Sequence, residues 1–439
     1  MASTFFGLTI AYSGLQAANT SLTITGHNVS NINTKGYTKQ QAGTQAADAL
    51  RTHTTYGAIG SGVVVTEISQ IRDSYYDVKY RNNMANYGQY SVKESYMGQI
   101  EDYLDEFTLN GYSQEYKNFF SAVNQLTITP GDTSAKNQLI NNAKSLADYF
   151  NTLTTNLRNV QADANNEIKD AVQQINSYAK NIAALNRQIN QIEANYGNAN
   201  DLRDKRNAMI DELSEIVNLE TSEEDMGNNV SNFSVRINGQ TLVSSYSYNT
   251  LETVARTDKK NYSDAEGLYD VQWNSGQKFD MYSTSLSGHL KGLIDIRDGN
   301  NGEHENIETD DDGNNVTDSD GNLVLTTAPA ADKTVSYKGV PYYQAQLNEF
   351  AKIFSDAVNK IMKSGYTSDG SSKGISLFVT QPNTTVMSAG NITVNPELLK
   401  NADLLAIKKE QNDGESDAKI MEELNKLQSE KIFAGGTGS

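Results

Sequence analysis

IKDAVQQINSYAKNIAALNRQINQIEANY, residues 168–196, decides the fold of this 439-residue chain. Its apolar residues step by three or four positions, the spacing that places side chains on one face of an α-helix. They are Ile168, Val172, Ile175, Ala179, Ile182, Leu185, Ile189, Ile192 and Tyr196. The stripe predicts a long helix over 160–196 that ends at Gly197-Asn198 and packs lengthwise against other helices. We therefore expect a long antiparallel helical bundle.

The rest of the chain adds further helices and a smaller β-rich part. Helical patterns cover 82–106, 113–126, a segment from about Ser134, 202–216, 283–297, 343–364 and 417–432. From Ser222 the composition changes, and Phe233 to Val243 alternate in polarity around Asn238-Gly239, a strong hairpin signal. The predicted fold class is α+β, mainly helical, with a small β-rich domain inserted into the bundle.

Four domains follow from this organisation. Residues 1–40 hold an N-terminal helix and a motif, and 41–221 form a connector and the helical bundle. Residues 222–282 are the β-rich insertion, and 283–439 return to the bundle. This last part carries an acidic loop insertion at 298–335, a minor β segment at 375–394 and a final helix.

The N-terminal helix, predicted over 3–33, carries a heptad of apolar residues. Leu8, Leu15, Leu22 and Val29 are seven apart, and Ala11, Ala18 and Ile32 each follow one of them by three positions. An ordinary core helix is one explanation of such a pattern. The near absence of charge from Met1 to Thr34 favours another, a coiled-coil-type helix that packs against a second helix. The predicted assembly interface is Leu8, Leu15, Leu22, Val29 and Ile32.

A polar motif, Asn31-Ile32-Asn33-Thr34-Lys35-Gly36-Tyr37, then breaks the helix. The longer run from Gly26 to Gln40 resembles the N-terminal signature of bacterial flagellar axial proteins, a family of rod, hook and hook-associated proteins. Within it, Asn28, Asn31, Gly36 and Tyr37 are expected to shape the bend after the helix.

Four later segments resemble one branch of that family, the hook-associated protein 1 family of hook–filament junction proteins. They run from Ile59 to Asp77, Asp201 to Glu215, Ser287 to Asp298, and Leu347 to Asn359. The resemblance implies a structural, non-enzymatic protein that is exported without a cleavable signal peptide to the extracellular flagellum. It implies as partners other copies of itself in a ring, the hook protein, a second junction protein, filament subunits and an export chaperone.

The family also implies a second terminal helix, at the C-terminus, that pairs with the first. This sequence ends instead in a Gly-rich stretch from Phe433 to Ser439. We therefore expect either a fragment or an unusual member, in which residues 3–33 lack a partner within the chain and are disordered in the isolated monomer.

Composition excludes several other functions. With 36 basic and 54 acidic residues the net charge is −18, so nucleic acid and anionic membrane are poor partners. The chain has no cysteine, which excludes disulfides and thiolate metal sites. No stretch approaches the roughly 20 apolar residues of a membrane span, and the N-terminus lacks the regions of a signal peptide.

The sequence shows no pattern of a catalytic, cofactor-binding or metal site. The four histidines fit no metal or protease spacing. Nine acidic residues and no Lys or Arg lie between Asp298 and Asp320, but neither register of this stretch supplies the Gly and Glu of a calcium-binding EF-hand. A plain cluster of acidic turns is favoured. Two alternatives stay open: a hook or rod protein of the same superfamily, and a secreted axial protein with a binding or enzymatic insertion in 222–335.

Overall fold

A computed structural model describes residues 5–51, 57–104, 111–331, 333–414 and 416–429. Helices dominate it. They are α1 Phe6–Ser30, α2 Ser74–Leu104, α3 Tyr112–Ile128, α4 Thr133–Glu193, α5 Asn200–Ile216, α6 His289–Asp298, α7 Val340–Ser364, α8 Pro396–Lys400 and α9 Lys419–Leu427, with a 3-10 turn at Ala402–Leu404. In the described part of the chain, no helix is long and apolar enough to cross a bilayer.

The strands are short and form several small sheets. They are β1 Gln40–Ala46, β2 Leu50–Arg51, β3 Ala58–Ile59, β4 Val63–Gln70, β5 Glu220–Asp225, β6 Ser231–Ile237, β7 Gln240–Ser244, β8 Ser247–Tyr248, β9 Leu251–Ala255, β10 Tyr269–Trp273, β11 Glu303–Ile307, β12 Leu325–Pro329, β13 Tyr366–Thr367, β14 Phe378–Thr380, β15 Ile392–Val394 and β16 Ala406–Lys408. Strand β1 pairs antiparallel with β4, and the largest sheet has the order β5-β6-β7-β8. The mainly helical α+β class predicted from the sequence is confirmed.

The chain folds into two compact units. Unit 1 comprises residues 1–91, 169–254 and 271–292, and unit 2 comprises 92–168, 255–270 and 293–439. The units follow packing, whereas the four domains predicted from the sequence follow the order of the chain. The predicted boundaries therefore stay predictions.

In unit 1, helix α1 lies on the β1–β4 hairpin. Its buried residues are Ala17 and Ile24, and Ile10 and Ser13 are half-buried on the same face. The expectation that residues 3–33 lack a partner within the chain was wrong, because the helix has a second face that packs on this hairpin. The structure does not test the coiled-coil pairing of the first face.

Several elements differ from the sequence prediction. Helix α4 is one helix of 61 residues, although the sequence suggested separate helices near Ser134 and over 160–196. Its end is set by Tyr196, which takes the left-handed conformation (φ 61°), followed by a hydrogen bond from the Gly197 amide to the Ile192 carbonyl (3.1 Å). The predicted final helix extends to 432, but residues beyond 429 lie outside the described part of the chain.

The hairpin predicted from Asn238-Gly239 is confirmed. Strands β6 and β7 pair antiparallel, and both turn residues have positive φ (50° and 76°), as a type I′ turn requires.

Unit 2 holds a large apolar core. Helices α3, α7 and α9 and the first part of α4 share it with β14 and β15. Its centre is aromatic: the ring of Phe119 lies 5.7 Å from that of Phe354 and 6.2 Å from that of Phe378. Burial of these rings and of the aliphatic side chains around them stabilises this unit.

The acidic stretch in unit 2 contains a tandem repeat of eight residues, TDDDGNNV at 309–316 and TDSDGNLV at 317–324. In each copy the first Asp side chain binds backbone amides of its own turn. Asp310 Oδ1 accepts from the amides of Asp312 (3.0 Å) and Asn314 (2.8 Å). The first carboxylate of each copy, on Asp310 and Asp318, is thus used in closing its turn, in line with a plain acidic turn cluster.

Candidate functional site

Four of the five predicted interface residues lie on the outer face of α1, and the fifth, Ile32, lies in the turn directly after it. The exposed fractions of Leu8, Leu15, Leu22, Val29 and Ile32 are 65%, 67%, 70%, 65% and 77%. We call this row the α1 seam. Large aliphatic side chains in such a row are what a partner helix or chain would cover.

The opposite face of α1 is held at the Ile59–Gly62 segment. Gly62 has φ +111°, and a β-carbon there would overlap the Oγ of Ser13. The same Oγ accepts a hydrogen bond from the Val63 amide (3.2 Å). A glycine is needed at this point because the segment runs so close to the helix.

Asn28 fastens the end of α1 to the start of β1. Its Nδ2 donates to the Gln40 carbonyl (2.9 Å), and its Oδ1 accepts from the Gln40 amide (2.9 Å). The Tyr37 hydroxyl donates to the same Oδ1 (2.7 Å) and lies 2.9 Å from Nδ1 of His27. The Asn28 side chain therefore makes the donor and acceptor contacts with Gln40 that the backbone of a paired strand would otherwise make.

The remaining motif residues shape the bend itself. Asn31 donates from Nδ2 to the His27 carbonyl (3.0 Å), which also accepts the Asn31 backbone amide (3.1 Å) at the end of the helix. Gly36 has φ +80°, and a β-carbon there would lie 3.0 Å from that of Ala208. The structure thus brings Asn28, Asn31, Gly36 and Tyr37 together in one turn.

Helix α5 supports this turn from a distance of about 160 residues in sequence. The Thr38 amide donates to Asp204 Oδ2 (2.9 Å), and Gln40 Nε2 donates to Asp201 Oδ1 (3.1 Å). Burial raises the pKa of the Tyr37 hydroxyl, and the carboxylates of Asp201 and Asp204 raise it further. Helix α5 thus holds the turn at Thr38 and Gln40.

Charged pairs behind the turn were not singled out from the sequence. Arg72 Nε lies 2.6 Å from Asp77 Oδ2, and Arg81 Nε lies 2.7 Å from Asp211 Oδ1. Arg72 NH1 also donates to the Thr38 hydroxyl (3.3 Å), which joins this network to the bend. No local pattern signals such pairs, because the partners are 5 and 130 positions apart.

A cleft of about 1360 Å³ opens beside these pairs in unit 1. Arg203 bridges Glu193 (2.7 Å) and Glu223 (3.0 Å) at its wall. Burial lowers the pKa of Arg206 to about 10, and its guanidinium lies 3.7 Å from the centre of the Phe233 ring. The arginines are paired with carboxylates, so the cleft is a polar, charge-balanced surface.

A second charged group is fully buried in unit 2. Asp298 accepts from Arg297 (2.9 and 2.6 Å) and from Arg256 (3.0 and 2.8 Å). Arg297 also donates to Asn165 Oδ1 (2.9 Å) and to the Tyr269 carbonyl (2.7 Å). Burial alone would raise the pKa of Asp298, but the two guanidiniums reverse this and hold it far below its usual range. The group fastens the end of α6 to neighbouring segments.

These arrangements hold segments together and expose an apolar row. Among the residues that the structure describes, no group of three or more His, Asp or Glu is placed to bind a metal ion. The chemistry that the site supports is packing of one protein surface on another.

Known proteins resemble this chain over most of its length. The family described as the flagellar hook-associated protein FlgK helical domain matches residues 97–378. Flagellar hook-associated protein 1 of Bacillus subtilis is 27% identical over 390 residues, which cover 85% of this chain and 70% of that protein. The proteins of that name from Salmonella typhimurium and Escherichia coli are 33% and 32% identical over 219 residues.

The coverage differs between relatives. The Salmonella and Escherichia coli matches span 49% of this chain but only 39% and 40% of those proteins. The solved structure of the flagellar hook junction protein FlgK from Burkholderia pseudomallei shares the fold, with a TM-score of 0.51 and 23% identity over 68% of this chain and 46% of that one. Because the family match covers well over half of its residues, the chain belongs to the FlgK family of flagellar hook-associated proteins, structural components of the flagellum.

Proposed function

We propose that this protein assembles at the distal end of the flagellar hook and joins the hook to the filament through packing of its terminal helix. One observation carries the proposal: α1 presents a row of aliphatic side chains that are about two-thirds exposed. The family membership supports the location, and the names of the relatives support the junction role. The work of the protein is then mechanical, and no catalytic step is part of it.

The α1 seam can supply the binding free energy. A buried Val, Leu or Ile contributes about 1.5–3 kcal/mol relative to the exposed state, so five of them contribute on the order of 10 kcal/mol before entropic costs. Because the helix carries almost no charge up to Thr34, this burial entails little desolvation of charged groups.

The turn that holds Asn28, Asn31, Gly36 and Tyr37, here called the signature turn, keeps the α1 seam in a fixed orientation. Asn28 and Gly62 anchor α1 to the hairpin, while Asp204 anchors the turn to α5. A helix held at both points loses less conformational freedom on assembly than a loose one would. We propose further copies in a ring, the hook protein, the second junction protein and filament subunits as the partners. We further propose that an export chaperone binds this protein, and that the protein is exported to the cell exterior without a cleavable signal peptide.

Co-sedimentation with isolated hooks, stripped of junction and filament proteins, tests this function. Wild-type protein is expected to bind saturably, and Leu15→Ser/Leu22→Ser to bind at least about tenfold more weakly. The matched control, Gln16→Ala/Asn19→Ala, changes exposed polar residues of the same helix and is expected to bind like wild type.

Failure of wild-type protein to bind hooks would overturn the junction role. Equal binding by the leucine variant and wild type would instead show that another surface makes the contact.

A further inference from the structure

Strand β5 is an open edge of the largest sheet in unit 1. The sheet order β5-β6-β7-β8 leaves one side of β5 without a neighbouring strand. Glu223 lies opposite Phe233, whose carbonyl accepts from the Ser245 amide (3.1 Å) on the β7 side of β6. Because backbone groups alternate between the two sides of an antiparallel strand, the N–H and C=O of Glu223 point to the open side, as do those of Thr221 and Asp225. We call these backbone groups the β5 edge.

The β5 edge is uncovered, whereas edge groups of the β1–β4 hairpin are covered by side-chain amides. The Ile68 carbonyl on β4 accepts from Asn198 Nδ2 (3.0 Å) and Asn200 Nδ2 (2.8 Å). Within the described part of the chain, no donor or acceptor bonds to the backbone groups of the β5 edge. Such an edge is a template on which another strand can pair.

The β5 edge borders the cleft of about 1360 Å³, which Thr221, Glu223 and Asp225 line. Sites for small molecules usually measure about 300–1,000 Å³ and are mostly apolar, so this larger, polar cleft suits an extended polypeptide better. Two buried nitrogens of lining residues, Arg81 Nη2 and Arg206 Nε, make no hydrogen bond to the described chain. Main-chain carbonyls are acceptors of the kind that these donors lack.

Tyr196 lines the same cleft in a conformation that disfavours tyrosine. It has φ 61°, and its amide donates to the Glu193 carbonyl (3.0 Å), so it occupies the position after a helix that usually holds glycine. Its side chain is 90% exposed, so no packing within the described chain offsets this strain. An exposed aromatic ring at a cleft is well placed to contact a bound partner.

We propose that the β5 edge binds an extended, basic polypeptide segment of another protein, which adds to the sheet as a further strand beside β5. The main chain of the segment pairs with the backbone of Thr221, Glu223 and Asp225, and the ring of Tyr196 contacts the segment. The inference adds a partner site to this chain and does not depend on the junction role.

Charge selects a basic segment as the occupant. Strand β5, ETSEED, has four acidic residues and no basic one. Glu223 is paired with Arg203 and Arg206, whereas Glu220 and Glu224 make no ion pair with any described residue. Opposite charges on directly opposed strand positions stabilise a pair, and like charges destabilise it. A second copy of β5 would place acid beside acid, whereas Lys or Arg at alternate positions of an added strand would face Glu220 and Glu224.

Fluorescence anisotropy with labelled heptapeptides tests the inference. The probes are TKTKTKT, its acidic counterpart TETETET, and TKTKTKT with every backbone amide N-methylated, which keeps the charge and loses the main-chain donors. We expect TKTKTKT to bind at least about tenfold more tightly than either of the others, since two cross-strand pairs change sign in one case and the ladder is lost in the other.

A charge-reversal variant checks the position of the segment. Glu220→Lys/Glu224→Lys should prefer TETETET over TKTKTKT by at least about tenfold. The matched control, Asp170→Lys/Glu252→Lys, makes the same change in net charge at exposed residues of unit 1 away from β5, and should keep the preference for TKTKTKT. All four positions are exposed, so the circular dichroism of both variants should match that of wild type.

Tyr196→Asn separates a binding role of the ring from a structural one. Asparagine takes the left-handed conformation more readily, so the urea midpoint should be at least as high as that of wild type. Binding of TKTKTKT should nevertheless weaken by at least about fivefold. A lower midpoint with unchanged peptide binding would show that the ring only supports the fold, against the proposal.

Three results would overturn the proposal. The first is no measurable binding of TKTKTKT. The second is equal binding of the N-methylated peptide, which would show attraction of charge without strand pairing. The third is a dimer of this chain in sedimentation equilibrium that TKTKTKT fails to dissociate and that Glu220→Lys/Glu224→Lys abolishes, which would assign the β5 edge to a second copy.

Discussion

A methyl group added at residue 62 should release α1 from its hairpin. Gly62 has φ +111°, which L-residues rarely adopt, and such a conformation costs about 1–3 kcal/mol. The new β-carbon would also overlap Ser13 Oγ and lie 3.3 Å from Ser13 Cβ and 3.5 Å from Ile10 Cα. Gly62→Ala should therefore weaken the anchoring of α1 by at least about 1–3 kcal/mol, equivalent to a roughly 5- to 150-fold shift in a local opening equilibrium.

Hydrogen exchange of peptides from α1 measures this opening. Exchange in Gly62→Ala should be faster than in wild type by about that factor, while peptides from the core of unit 2 stay unchanged. Gly60→Ala is the control, since no heavy atom lies within 4 Å of a β-carbon there and its φ is not positive. Adding Ser13→Ala should relieve the overlap and restore part of the protection, but not the part due to φ. Unchanged exchange in Gly62→Ala would refute the close approach on which this reasoning depends.

Three further changes test other parts of the structure. Asp298→Asn should cost about 3–5 kcal/mol in urea unfolding, because it leaves two buried guanidiniums without their shared carboxylate. Since the folded-state pKa of Asp298 is depressed, this loss of stability should be complete at neutral pH and become smaller below about pH 3.9. The control Glu266→Gln removes an exposed ion pair and should leave the free energy of unfolding unchanged. Burial raises the pKa of Glu305, so wild-type stability should fall as the pH rises above about 4.3, and Glu305→Gln should remove that part of the slope. Gly36→Ala places an alanine at a positive φ (+80°) and its β-carbon 3.0 Å from that of Ala208. It should therefore lower the thermal midpoint of unfolding and speed hydrogen exchange in the signature turn.

Helices and turns could be predicted where neighbouring residues carry a strong local pattern. The periodic stripe after Ile168 predicted helix, and Asn238-Gly239 predicted the hairpin. The heptad of α1 predicted an assembly interface that includes Leu8, Leu15, Leu22 and Val29; these side chains are about two-thirds exposed, and their role in assembly stays a prediction. In each case the residues that carry the signal are close together in the chain.

The remaining features depend on contacts between distant residues. Strand β1, QQAGTQA, has no apolar alternation, and it forms because it pairs with β4 under α1. Arg297 and Asp298 look like surface charges in the sequence, yet both are almost fully buried. The second face of α1 went unrecognised because Ser13 and Ala17 are small, and only Gly62 shows why small residues are needed there.

Imaging of decorated hooks tests the central claim most directly. A gold label at a single introduced cysteine, for example Tyr248→Cys, would mark each bound copy, since the chain has no other cysteine. The account predicts label confined to the distal tip of stripped hooks, saturating at a fixed number of copies, and absent with Leu15→Ser/Leu22→Ser. Label spread along the hook shaft, or none on any hook, would contradict it.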